Sequence, residues 1–257
     1  MRSIVKLYIM RQLITFLAAG LLLFITRTAN AQTTPVDHFH KVIVSPYIQV
    51  TFIQGSEESV TINNINVDSN KLHVEVNGGT LRLYLDGAKD IPHQEKEERN
   101  DGSRQTHALY PNHSVIATVV YRKLDELSLR GEETYLCQSP MSADKFSLRV
   151  YGASKVVFTE VHFDKMYTTI YGESLLAIEA GAVNKQHYTC YGEGKINTTA
   201  IKGQEARVTA YGEAEFKLNV SDRIKITAFG EARLRYMGNP AIVKGIHIGE
   251  MDLKRLD

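Results

Sequence analysis

The chain has 257 residues, 43% of them hydrophobic, with 30 Lys+Arg against 29 Asp+Glu, 18 Gly, 6 Pro, 2 Cys and no Trp. That length supports one large or two small domains with a real core, and the apolar fraction excludes a disordered chain. The near-neutral charge, with no basic block, argues against a nucleic-acid binder.

Arg2, Lys6 and Arg11 precede an apolar run from Leu13 to Ile25, and Ala29-Asn30-Ala31 follows before Gln32. Charged, apolar and small-x-small segments in that order predict a secretory signal peptide over 1–31. The 15 residues between Arg11 and Arg27 fall short of the roughly 20 that span a bilayer, so no transmembrane helix is expected after cleavage. Without Arg2, Lys6, Arg11 and Arg27 the remainder carries 26 basic and 29 acidic residues, a formal charge of −3. No Cys lies near the cleavage point, which speaks against a lipoprotein route. Cys137 and Cys190 could form one bridge, but two cysteines are no disulfide framework and read better as buried apolar thiols.

Residues 32–120 read as an irregular β region. Val42, Val44, Val50 and Phe52 fall at every second position, and Leu72-Val74-Val76 and Leu81-Leu83-Leu85 are further alternating strands around Asn77-Gly78-Gly79. Lys89 to His107 is dense in charge, including Glu95-Lys96-Glu97-Glu98-Arg99, and is expected to be a surface loop over 89–107.

Residues 121–257 repeat. One glycine recurs in Leu129-Arg130-Gly131-Glu132, Val150-Tyr151-Gly152-Ala153, Ile170-Tyr171-Gly172-Glu173, Cys190-Tyr191-Gly192-Glu193, Ala210-Tyr211-Gly212-Glu213, Ala228-Phe229-Gly230-Glu231 and His247-Ile248-Gly249-Glu250. The glycine spacings are 21, 20, 20, 20, 18 and 19. Propeller blades need about 40 residues, so this period fits one coil of a β-solenoid. Counting back from the glycines, even positions hold Val150, Ile170, Cys190, Ala210 and Ala228, and odd positions hold Thr169, Thr189, Thr209 and Thr227. Such period-two alternation marks strands with one face in and one out. Ser154, Ser174, Gly194, Ala214 and Ala232 are expected to stack inside a corner, with Val156, Leu176, Ile196, Phe216 and Leu234 filling the bore. Gly181 and Gly203 are expected at an opposite turn, and Pro46 occupies the glycine place in a blurred early coil. The predicted fold is all-β: a single-stranded, right-handed β-helix-like solenoid of about 20-residue coils, with the N-terminal β region as an irregular cap.

The stretch Phe39-His40-Lys41-Val42-Ile43-Val44-Ser45-Pro46, then Val50-Thr51-Phe52-Ile53-Gln54-Gly55, Glu58-Ser59-Val60-Thr61-Ile62 and Gly79-Thr80-Leu81-Arg82-Leu83, resembles the family of auto-transporter adhesins with the head GIN domain, common in Bacteroidetes. Ala228-Phe229-Gly230-Glu231-Ala232 and Arg235-Tyr236-Met237-Gly238-Asn239-Pro240 resemble its closing repeat. The resemblance implies an exported, repeat-built β protein assigned to adhesion, in the periplasm or on the outer surface of a Gram-negative bacterium. It brings no catalytic residues. Family repeats read Ser-Gly-Ser-Gly-Asp at the turn, whereas this chain places Tyr or Phe before the glycine and Glu after it.

By parity, Tyr151, Tyr171, Tyr191, Tyr211 and Phe229 stack outward as an aromatic stripe. Thr169, Thr189, Thr209 and Thr227 flank it on one side, and Glu173, Glu193, Glu213 and Glu231 on the other. Rings against sugar C–H faces, with acids taking sugar hydroxyls, would suit a glycan chain. Stacked Tyr and Thr also stabilise each other, so a purely structural ladder competes with that reading, as do a protein partner, a cell-envelope partner and a homo-oligomer seam. The stacked carboxylates repel one another; Lys155, Lys195 and Arg233 offset part of this, and Ca²⁺ is the one cofactor such oxygens would take. No zinc signature, nucleophile elbow, Walker loop or dinucleotide fingerprint is present. The expected function is non-catalytic, adhesin-like binding, with a structural envelope protein or protein scaffold as the alternative. A polysaccharide lyase or hydrolase, which would need two differentiated carboxyl groups, is the remaining alternative.

Overall fold

The computed structural model describes residues 32–90, 95–98 and 104–256, and Gln32–Asp257 forms one compact unit. The predicted signal peptide over 1–31 lies outside the described residues. The elements are nearly all strands. In chain order these are β1 (Gln32–Pro35), β2 (Lys41–Val44), β3 (Ile48–Gln54), β4 (Ser59–Ile65), β5 (Leu72–Asn77), β6 (Thr80–Leu85), β7 (Glu95–Glu98), β8 (Arg104–His107) and β9 (Val115–Tyr121). There follow β10 (Glu126–Gly131), β11 (Thr134–Cys137), β12 (Met141–Gly152), β13 (Lys155–Phe158), β14 (Val161–Gly172), β15 (Leu175–Ile178), β16 (Gly181–Tyr191), β17 (Lys195–Met237), β18 (Ala241–Ile248) and β19 (Met251–Arg255).

From β10 onward each strand pairs in parallel with the strand one repeat later, giving a β-solenoid of about six turns. Registers follow the glycine alignment: Tyr151 opposes Tyr171, Tyr171 opposes Tyr191, and Tyr191 opposes Tyr211. Pairing skips Asp144, Asp164 and Asn184 and breaks again at the glycine column. Each coil therefore has a short segment such as 161–163, a long one such as Lys165–Tyr171, and a third such as Leu175–Ile178. Inward positions are buried from Phe146, Met166 and Ile224 at one end of the long segment to Val156, Leu176, Ile196, Phe216 and Leu234 beyond the corner.

Glycine is required at the corner for two reasons. Its φ lies between +106° and +127° from Gly152 to Gly249, a region that side chains disfavour. A Cβ at Gly152, Gly172 or Gly230 would also stand 2.2, 2.4 and 2.5 Å from the carbonyl oxygen of the glycine one coil earlier. Just after it, Ser154 and Ser174 each donate a hydroxyl to a corner carbonyl, of Gly131 at 2.8 Å and Gly152 at 3.0 Å. Gly181 has φ +108°, with its missing Cβ against Val161; Gly203 is not left-handed, but a Cβ there would strike the buried Gln186 amide. Gln186 accepts hydrogen bonds from the Tyr188 and Thr198 hydroxyls, so the bore also holds one satisfied polar trio.

The N-terminal coil is out of chain order. β2 and β3 stack in parallel on β10 and β11, and their other edges are covered by β6 and β9. β4 closes antiparallel on β9, β1 on β4 and β5 on β6, which forms the cap. Val44 opposes Leu129, so Pro46 falls at the Gly131 position. The buried Glu133 carboxylate fills that corner, accepting the Tyr47 N–H at 2.9 Å and the Glu132 N–H at 2.8 Å. The segment expected to be a plain loop contains an antiparallel pair, β7 with β8, because backbone hydrogen bonding between strands does not require apolar side chains. At the opposite end, Lys244 and His247 stand in register with buried Ile226 and Ala228, next to a bulge in β18. Cations in core register and a bulge are features that blunt an exposed edge against further strand pairing.

Candidate functional site

The long segment of each coil presents one flat outer face, and the predicted aromatic stripe lies along its border with the corner. Tyr171, Tyr191 and Tyr211 keep 40%, 39% and 40% of their surface in solvent, while Tyr151 and Phe229 are half-buried. Ring centroids are 4.9, 4.8, 4.8 and 5.1 Å apart from Tyr151 to Phe229, and neighbouring planes differ by 3–5°. Parallel rings at that separation are offset-stacked; they are too close to lie side by side in one plane. Their flat faces therefore cover one another and the edges and hydroxyls meet solvent. The row is a stack seen edge-on, not the flat platform expected for sugars lying on ring faces.

The stack has defined ends. The Arg130 guanidinium lies 5.6 Å from the Tyr151 ring centroid and is held by Asp90 at 2.6 Å, with Arg82 on the same carboxylate. These two guanidinium groups hold the Asp90 carboxyl below its ordinary range. At the other end Ile248, 67% exposed, takes the ladder position beyond Phe229.

Thr169, Thr189, Thr209 and Thr227 are half-buried two residues before the rings, as parity predicts. Glu173, Glu193 and Glu213 are exposed and Glu231 half-buried at the corner, which turns their row away from the flat face. Of the cations expected to offset them, Arg233 reaches Glu231 at 3.6 Å, and Glu215 is met instead by Lys217 at 3.0 Å. Among the described residues no group of three or more His, Cys, Asp or Glu is placed to hold a metal ion. Both cysteines are free and buried, and burial pushes the Cys190 thiol up to about 12, which removes it as a nucleophile at neutral pH.

Three features escape a reading of the spacing. Glu133 is held above the ordinary carboxylate range, first by burial, with its backbone hydrogen bonds working against that. Burial would also raise Glu58, but hydrogen bonds from His38 and Arg122 outweigh it and hold the group low. The third is a row of cations along the far border of the flat face, found by carrying the parity count back to the seventh residue before each glycine: Lys145, Lys165 and Lys185. Among the described residues no helix is long and apolar enough to cross a membrane.

A family model described as "Putative auto-transporter adhesin, head GIN domain" matches residues 38–240. No curated protein matches the chain in sequence. Among solved structures, a "putative adhesin" from Bacteroides fragilis is 15% identical with a TM-score of 0.72, covering 88% of this chain and 96% of that one. A "putative adhesin" from Parabacteroides merdae is 15% identical with a TM-score of 0.63, covering 89% and 96%. A "Putative lipid binding protein" from Parabacteroides distasonis is 16% identical with a TM-score of 0.63, covering 89% and 98%. At these identities the likeness is one of fold.

Proposed function

Since the chain belongs to the family of auto-transporter adhesins with the head GIN domain, we propose that it is an exported, non-catalytic protein of the periplasm or outer surface that binds a glycan along its flat face. The observation that carries this reading is the unbroken row from Tyr151 to Phe229, in register over five coils, with Tyr171, Tyr191 and Tyr211 exposed to the same extent. A ligand meets this row through phenol hydroxyls and ring edges, with the threonine hydroxyls beside them. Repetition speaks for an extended ligand: each coil offers the same groups about 4.8 Å further on, so weak contacts add along a chain. The near-identical acids of the Glu row offer no differentiated pair for general acid–base chemistry, which favours binding over hydrolysis.

The stacking itself favours a second reading, a stiff structural envelope rod or protein scaffold, because every interior ring face is already satisfied within the protein. The two separate in one experiment. The protein from Gln32 onward is tested for binding to a polysaccharide array, with and without Ca²⁺, beside a Tyr171→Ala/Tyr191→Ala/Tyr211→Ala variant whose folding is checked by circular dichroism. Loss of binding in the folded variant is the expected result, and a Ca²⁺ requirement would bring in Glu173, Glu193 and Glu213. Absence of binding to every polysaccharide, with and without Ca²⁺, overturns the glycan reading and leaves the scaffold.

A further inference from the structure

The flat face carries a second column that the adhesive reading leaves unused. Lys145, Lys165 and Lys185 oppose one another on consecutive coils, and Arg207 stands opposite His187 on the next. Arg223 and Lys225 continue the outward positions one coil further. One acid, Glu205, interrupts the column, and Asp164 reaches Lys165 at 3.7 Å. Among the described residues no other carboxylate oxygen lies within 4.0 Å of these six cations. Like charges repeated at strand spacing repel, and among the described residues only Glu205, in register with Lys185, and Asp164, beside Lys165, stand against that repulsion at close range. Lys145 instead lies over the Tyr167 ring at 5.1 Å, and Tyr167 stacks on His187 at 4.7 Å, so cations and aromatic edges interleave.

We infer that this face takes an acidic polysaccharide, laid along the solenoid axis so that its anionic groups follow the cation column while the Thr and Tyr hydroxyls meet its sugar hydroxyls. The inference rests on the reading that the flat face binds a glycan, and it adds the charge of the ligand and its track. The geometry fits a repeating anion better than a single one. Lys145, Lys165 and Lys185 share one border of the face at the pitch of the strands, about 4.8 Å, and Arg207 and Lys225 stand two residues closer to the aromatic row. The Glu173–Glu231 row begins one residue past the corner glycine, outside the long segment that carries the cations. Fields of this kind raise the encounter rate with an oppositely charged chain and weaken as salt screens them. The electrostatic state of the face is reported by His187, held below its ordinary value by burial and then by Arg207 and Lys185, with Glu205 opposing and Tyr167 stacked beside it.

Polygalacturonate and its fully methyl-esterified form share a backbone and differ in charge, so the pair isolates the inference. The protein from Gln32 onward is expected to bind the acid form at least about tenfold more tightly than the ester, and to lose about tenfold between 50 mM and 500 mM NaCl. A Lys145→Gln/Lys165→Gln/Lys185→Gln variant should lose most of that preference while keeping its fold, since these side chains are on the surface. Adding the acid polymer should raise the His187 titration midpoint followed by NMR. Equal binding of acid and ester, full binding by the Gln variant, or no binding of polygalacturonate overturns the inference. Binding of inorganic polyphosphate as tight as that of polygalacturonate would overturn its sugar component. If the Tyr→Ala variant loses binding to acid and neutral polysaccharides alike while the Gln variant binds the acid form as tightly as the parent, the glycan reading stands and the acidic-ligand inference falls.

Discussion

The same corner is built in two ways in this molecule. In the regular stack from Gly152 to Gly249 it is made by glycine alone, and each coil uses the previous glycine's carbonyl as its wall. In the N-terminal coil Pro46 stands in the glycine place, and the corner is completed by the Glu133 carboxylate gripping the Tyr47 and Glu132 N–H groups. The regular stack draws its stability from repetition, so each position is tuned to its copies. The N-terminal region draws it from individual polar contacts, such as Glu58 with His38 and Arg122 and Asp90 with Arg82 and Arg130. Repetition makes a region readable and intolerant of change at its shared element; individual contacts make it irregular, with each contact separable from the rest.

That contrast can be broken most forcefully at Gly172. Gly172→Ala places a Cβ 2.4 Å from the Gly152 oxygen at φ +110°, and is expected to cost about 3 kcal/mol in urea denaturation. Gly194→Ala, two residues past a column glycine where other coils carry Ala214 and Ala232, should cost less than about 1 kcal/mol, the neighbouring Cys190 sulfur giving way. A result in which both substitutions cost the same would remove the special status of the column. Next in size is Glu133→Ala, which leaves two N–H groups without their acceptor and should cost about 2 kcal/mol by the same measurement.

The two buried acids of the N-terminal region also predict opposite pH responses. Glu58 is held low in the folded protein, so its contribution is present above its unfolded value and is lost as pH falls through the folded one. Glu133 is raised, so its contribution is fully present below the unfolded value and is lost as pH rises through the folded one. Denaturation series from pH 3 to 7 on Glu58→Gln and Glu133→Gln should differ from the parent with opposite slopes; parallel curves would refute the assignment. The smallest effect is expected at Tyr191→Ala, which removes two stacks at the edge of the face and should cost about 1 kcal/mol.

The legibility of the chain follows the same division. Seven glycines in one frame are enough to place the corner, the inward positions and the exposed tyrosines, because every copy repeats the signal. That β2 and β3 form a coil sandwiched between β10–β11 and the later strands β6 and β9 could not be read, since strand partners so far apart in sequence leave no local pattern. Glu133 stands at the inward position that holds Ser154, Ser174 and Gly194 in later coils, where no local signal announces a buried carboxylate, and the Tyr47 N–H that it accepts lies 86 residues earlier. The orientation of the rings was also hidden. Parity says that a tyrosine points outward, while the strand spacing decides that its face is turned toward its neighbour.

The glycine column makes the coil a unit of exchange. Because each coil enters and leaves its corner with the same backbone geometry against an identical neighbour, the residues between two successive column glycines can be excised or duplicated without redesigning what lies on either side. The length of the outer face is thereby a digital quantity, adjustable in whole steps of about 4.8 Å. A lineage could lengthen or shorten the reach of such a protein by copying about twenty codons, with the cap and the final coil left untouched.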